Sequence, residues 1–130
     1  TGLESCEQLR LICGGVQPQT VIAVDALACG DTARLCRTIQ LTDTGISLGS
    51  GVGNNRRPLT RETMGVPVIA IGVPTVIDLE SLYDGGNPDY MVTPRGIDAE
   101  IARFSRIIGR AVTRALLPSL TERETELLLF

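Results

Sequence analysis

The sequence predicts an α/β domain, a three-layer α/β/α sandwich around a mostly parallel sheet. Three observations carry that expectation. Apolar residues recur at helical spacing near both ends of the chain, short apolar runs without polar alternation lie between them, and helical and extended segments follow one another in turn. A run without polar alternation suits a strand buried on both faces, and right-handed crossovers then place helices on both sides of the sheet.

Leu3, Cys6, Leu9, Ile12, Cys13 and Val16 are spaced by threes and fours, as on an amphipathic helix, with Gly14-Gly15 as its expected stop. Pro18 punctuates, and Thr20-Val21-Ile22-Ala23-Val24 reads as a buried strand ending on Asp25. A short helix is expected over 31–37, then a more alternating strand, Thr38 to Thr42, ending on Asp43. Residues 44–58 hold Gly45, Gly49, Gly51, Gly53 and Pro58, too many breakers for regular structure, and predict a long shaped loop. Thr60 is placed to cap a short helix through Met64, and the stretch 66–73 reads as the third strand, followed by Pro74-Thr75 and a helical turn near Asp78. Asp84 to Pro88 reads as an exposed linker. Thr93-Pro94 opens a long helix whose stripe is Ile97, Ile101, Phe104, Ile108, Val112 and Ala115; Pro118 stops it, and the tail 119–130 has room for another turn or two.

At 130 residues the chain fits one modest domain, with 43% hydrophobic and 21% charged residues, the composition of a folded protein. Apolar runs fall well short of the roughly 18 residues of a membrane span, and no signal-peptide pattern is present, so a cytoplasmic protein without a membrane partner is expected. Twelve basic against fifteen acidic residues give a net charge of −3, a poor footprint for nucleic acid. The absence of His removes Ser-His and Cys-His catalysis and His-based metal sites, and no cofactor or metal is expected. Cys6, Cys13, Cys29 and Cys36 form no CxxC pair, and residues seven apart on a helix lie about 10.5 Å apart axially, too far for a disulfide. They read as reduced, small apolar groups.

Chemistry must then come from carboxylates, hydroxyls, thiols or backbone. Asp25 and Asp43 each follow a strand, and in parallel sheets ligands bind beyond the carboxyl ends of strands, so both are expected at that edge with the segment 72–78. Two adjacent carboxyls cannot both ionise comfortably, so one holds a proton while the other activates water. The alternative is that each Asp caps the turn that follows it. The run GSGVGNN lacks the Lys-Ser/Thr of a P-loop and the order of a dinucleotide fold; its glycines suit close approach of an extended peptide, with Gly49, Ser50, Gly51, Gly53 and Thr75 as substrate-loop candidates. Arg56 and Arg57 fit either an acidic group or plain solvent exposure; Ser47, Ser50 and Thr75 have no His to activate them.

The set VIAVDALA, TIQLTDTGISLGSGVGNNRRPLTRETMGVPVIAIGVPTVID and DYMVTPRGID resembles the germination protease family of spore-forming bacteria, over nearly the whole chain to about Pro118. The resemblance implies an α/β/α sandwich akin to hydrogenase maturation proteases, homotetramers, maturation by self-cleavage and hydrolysis of small acid-soluble spore proteins by a pair of aspartates. Asp25 matches one acid; the other lies in an upstream TPDALGP-like motif that this sequence lacks, and Asp43 is a lesser candidate for the second role. Thr1-Gly2 matches the end of a Met-x-Thr-Gly motif. A processing junction before Thr1 is therefore expected, with the upstream fragment as partner; an inactive binding or assembly module and an N-terminal nucleophile at Thr1 are the alternatives. The segment between the third strand and MVTP is shorter than in the spore enzymes, as in a divergent relative.

Overall fold

The computed structural model describes residues 2–47 and 57–129, in two compact units, 1–94 and 95–130. The first holds helix α1 (Gly2–Val16), strand β1 (Val21–Cys29), strand β2 (Gln40–Thr42), helix α2 (Arg61–Met64), strand β3 (Val68–Asp78), a 3₁₀ turn (Leu79–Ser81) and strand β4 (Met91–Val92). The second holds helices α3 (Ile97–Leu116) and α4 (Glu122–Leu128).

The chain is of the α/β class, and its described sheet is mixed. Strand order is β1-β3-β2, with β4 also on β3; β1 runs parallel to β3, whereas β2 and β4 run antiparallel. The expectation of a mostly parallel sheet thus holds for the long β1–β3 pair alone. Nothing in the short QLT run could have announced its direction, because the period-2 pattern of a strand is the same read either way.

Two strands are longer than their sequence patterns suggested. β1 continues through Asp25 to Cys29 and β3 through Pro74-Thr75 to Asp78, because the two pair with each other along their whole length. Pro74 is tolerated beside a register shift: Leu27 faces Pro74 and Ala28 faces Val76, leaving Thr75 as the extra residue of a bulge. The expected helix over 31–37 is a pair of turns, with Arg34 N–H donating to Asp31 C=O and Arg37 N–H to Arg34 C=O, 3.1 Å each. Cys36 takes a left-handed conformation, φ 52°, and donates its N–H to Pro74 C=O at 2.7 Å, which diverts it from a helical ladder.

α1 ends later than expected: Gly14 and Gly15 lie inside it, and Gln17 (φ 51°) closes it by donating to Cys13 C=O at 2.7 Å. Its buried stripe is narrower than the sequence pattern. Cys6, Leu9 and Cys13 face the core, while Ile12 and Val16 are 59% and 71% exposed. That core joins Cys6 to Ala23, Ile46, Leu59, Met64, Val68 and Ala70, with Val21, Leu27 and Val66 at its margin. Two residues far apart in sequence close on one another within it: Ile46 and Leu59 form an antiparallel bridge with paired backbone bonds of 3.0 and 2.8 Å. Gly45 (φ 104°) is required there, since a Cβ would stand 2.4 Å from Leu59 O.

Thr60 caps α2 as expected, in a reciprocal box with Thr63, and its hydroxyl beside Glu62 holds that carboxyl below its ordinary value. In the second unit Phe104 and Ile108 are the buried residues of α3. Arg110 reaches from α3 to Glu122 and Glu126 of α4, the latter at 3.4 Å. α4 supplies the two turns anticipated for the tail, opened by a Thr121–Glu124 capping box. All four cysteines are free thiols.

Candidate functional site

Asp25 stands in the middle of β1, half-buried, opposite Gly72 of β3. Alternation puts its side chain on the face of Ala23 and Leu27, the face that α1 covers further back along the strand. One carboxylate oxygen accepts the Ala26 N–H at 2.9 Å, and the group has a further interaction besides. Gly72 itself faces Gln40 of β2, so Asp25, Gly72 and Gln40 form one row across three strands. The central position of that row carries no side chain, and Leu27 fills the space: a Cβ on Gly72 would lie 2.2 Å from Leu27 Cδ1. Asp25 is thus flanked by an apolar wall that only glycine at 72 permits.

The sheet does not bring Asp43 to Asp25. Because β2 is antiparallel, its carboxyl end lies at the amino ends of β1 and β3. Thr42 faces Ala70, so Asp43 falls level with Ile69, three residues back from Gly72 and two strands across from β1. At about 3.3 Å per residue and 4.8 Å per strand, the two Cα atoms are ~14 Å apart. A dyad sharing one proton needs its carboxyls about 3 Å apart. Asp43 is exposed in a turn, where Thr42 Oγ1 and Thr44 Oγ1 lie 2.7 Å apart and Thr44 N–H donates to Thr42 Oγ1 at 3.1 Å.

Thr75, expected in a loop, is a residue of β3 on the strand pair that carries Asp25. Gly49, Ser50, Gly51, Gly53, Arg56 and Thr1 lie outside the described residues; Ser47 and Arg57 are exposed on either side of the loop. Sequence reasoning passed over Leu27 and Gln40. The i, i+2 relation of Asp25 and Leu27 was a legible signal; the place of Gln40 depended on strand pairing. At the carboxyl end of β1, a cleft of about 420 Å³ is lined by Cys29, Asp31, Arg34 and Gln40, among others. Among the described residues no group of three His, Cys, Asp or Glu side chains is placed to hold a metal, and no helix is long and apolar enough to cross a membrane.

Fold and site thus define an α/β protein with a carboxylate set inside a parallel strand pair, next to a bare glycine. Comparison with known proteins gives the particular family. The germination protease profile matches residues 1–86. A germination protease of Caldanaerobacter subterraneus subsp. tengcongensis is 36% identical over 170 aligned positions, covering 99% of this chain and 52% of that protein. Those of Bacillus mycoides and Bacillus anthracis are 44% identical over 121 positions, covering 92% of this chain and 30% of theirs. The chain belongs to the germination protease family, and spans about half or less of the length of these relatives.

Proposed function

We propose that this chain forms the carboxy-terminal part of a self-processed endopeptidase that hydrolyses peptide bonds of small, spore-protein-like substrates in the cytoplasm or spore interior. Asp25 is one acid of an aspartate pair that activates water. The observation that carries this reading is the half-buried carboxylate of Asp25 on a strand paired with β3 from end to end, in a chain of germination protease kinship. Its partner acid comes from the upstream portion of the relatives' sequence, and Asp43, remote from Asp25, keeps only a shaping role beside the long loop.

Two features support association with that upstream portion. Among the described residues no strand pairs with the outer edge of β1, and an unpaired edge nine residues long invites another strand. The face of the sheet away from α1 carries Ile22, Val24, Leu41 and Ile69, with Val24 54% and Leu41 70% exposed, and suits a second helical layer that completes an α/β/α sandwich. Homo-oligomerisation follows the family. Gly49, Ser50, Gly51, Gly53 and Thr75 are the residues assigned to peptide binding in this reading, which needs no cofactor.

The test is peptide hydrolysis by this chain reassembled with the upstream portion. Asp25→Asn should cut turnover by at least about 100-fold with the fold intact; turnover close to the parent's removes Asp25 from the mechanism. Thr1→Ala should leave the processed enzyme active, whereas a nucleophilic Thr1 would lose everything. A species that binds peptide yet hydrolyses none with any complement is a binding module.

A further inference from the structure

Thr75 poses a question that the packing of β3 leaves open. It is 9% exposed, and among the described residues its hydroxyl has no hydrogen-bond partner. Buried hydroxyls are nearly always paired, because water's hydrogen bonds are lost on burial and must be replaced. The polar groups beside it are paired: Pro74 C=O accepts the Cys36 N–H at 2.7 Å, and Val76 C=O accepts from Cys29 Sγ at 3.6 Å. Beside these two paired carbonyls stands the Thr75 hydroxyl, on the one residue of β3 that the register shift leaves without a β1 counterpart.

Packing alone gives no reason for a hydroxyl here. Valine has the same shape, higher strand propensity and nothing to satisfy. Bulges recur next to active sites, where they re-aim a side chain, and this one lies three residues beyond Gly72, the partner of Asp25. One strand across and three residues along place the Thr75 Cα ~11 Å from that of Asp25. An extended chain covers that distance in about three residues.

We propose that Thr75 is a positioning residue for peptide substrate, its hydroxyl hydrogen-bonding the main chain of the bound peptide about three residues from the bond at Asp25. The inference rests on the endopeptidase reading and deepens it. A main-chain group fits because the hydroxyl both donates and accepts, and meets either an N–H or a C=O whatever the peptide's side chains. The bond forms away from water, where its loss is felt in full.

The experiment compares Thr75→Val and Thr75→Ser in the protease assembled with its upstream portion, using a fluorescent peptide from a small acid-soluble spore protein. Hydrolysis gives kcat and KM, anisotropy on an Asp25→Asn background gives Kd, and thermal unfolding gives Tm. The expected result is a rise of about tenfold in KM and Kd for Thr75→Val, the weight of one hydrogen bond. Its kcat and Tm should hold or rise, and Thr75→Ser should restore binding. Unchanged KM and Kd for Thr75→Val in an active parent overturn the inference and leave the endopeptidase reading standing. A fall in Tm for Thr75→Val also overturns it, since the hydroxyl then serves the fold. A parent that binds peptide without hydrolysing it, and loses binding on Thr75→Val but not Thr75→Ser, ends the endopeptidase reading and keeps Thr75.

Discussion

Asp25 and Asp43 follow the same local pattern, a short apolar run closing on a carboxylate, yet the fold treats them as opposites. Asp25 is swallowed by its strand, which runs on for four more residues against β3, and it sits half-buried in a row with Gly72 and Gln40. Asp43 falls one residue past a three-residue strand, exposed, in a threonine-lined turn at the other end of the sheet. The difference teaches that a carboxylate acquires a site from strand length and direction. Pairing with a long parallel partner pulled Asp25 inside; antiparallel pairing turned Asp43 away.

The largest expected effect is on Asp25 itself. Asp25→Asn should lower peptide hydrolysis by about 10²–10⁴-fold, the usual worth of a positioned acid or base, with unchanged circular dichroism. Asp43→Asn in the same assay should stay within about threefold, in line with a surface substitution. Equal losses at the two positions would erase the contrast drawn between them.

A subtler perturbation acts on the wall beside Asp25. Gly72→Ala should cost about 1–3 kcal/mol in denaturant unfolding, because its Cβ meets Leu27. Adding Leu27→Ala opens the space that the new methyl needs, so the double variant should be more stable than the sum of the two single changes predicts. Strict additivity would mean that Leu27 does not share the space over Gly72.

The smaller effects lie far from either aspartate and serve as controls. Thr121→Ala removes the α4 cap and should cost about 1 kcal/mol, read as faster amide exchange in 122–128, with hydrolysis unaltered. The Thr121 hydroxyl, then its backbone, hold the exposed Glu124 carboxyl below its ordinary value. A carboxyl so lowered on folding contributes stability that is fully present above its unfolded pKa and lost as pH falls through the folded one. Protection factors in α4, corrected for the intrinsic pH dependence of amide exchange, should therefore fall on acidification from pH 6 to pH 3, and Glu124→Gln should flatten that response.

How much was legible in the residues varies with how local each cause is. Thr60 and Thr121 satisfy helix N–H groups three residues away, and the short range of that chemistry made the start of α2 readable. The stretch 44–58 reads as a long loop from its glycines and proline, and most of it lies outside the described residues; the buried Ile46–Leu59 bridge that flanks that part was not legible. The expected helix over 31–37 failed because Cys36 gives its N–H to Pro74, a partner 38 residues away. The setting VIAVDALA drew attention to Asp25 and held Leu27 two residues on, whereas the place of Gln40 is owed to the pairing of β2 with β3.

The α/β class, the family and the Thr60 cap were legible in the residues themselves, and motif singled out Asp25, because periodicity, capping and motif are properties of neighbouring residues. Tertiary structure alone decided that β2 runs backwards, that Asp43 is carried to the far end, that Leu27 lies over Gly72, and that Thr75 becomes the odd residue of a bulge. Strand direction and register are settled by hydrogen bonds between segments distant in the chain, and a period of two carries no sign of which way, or against what, a strand will run.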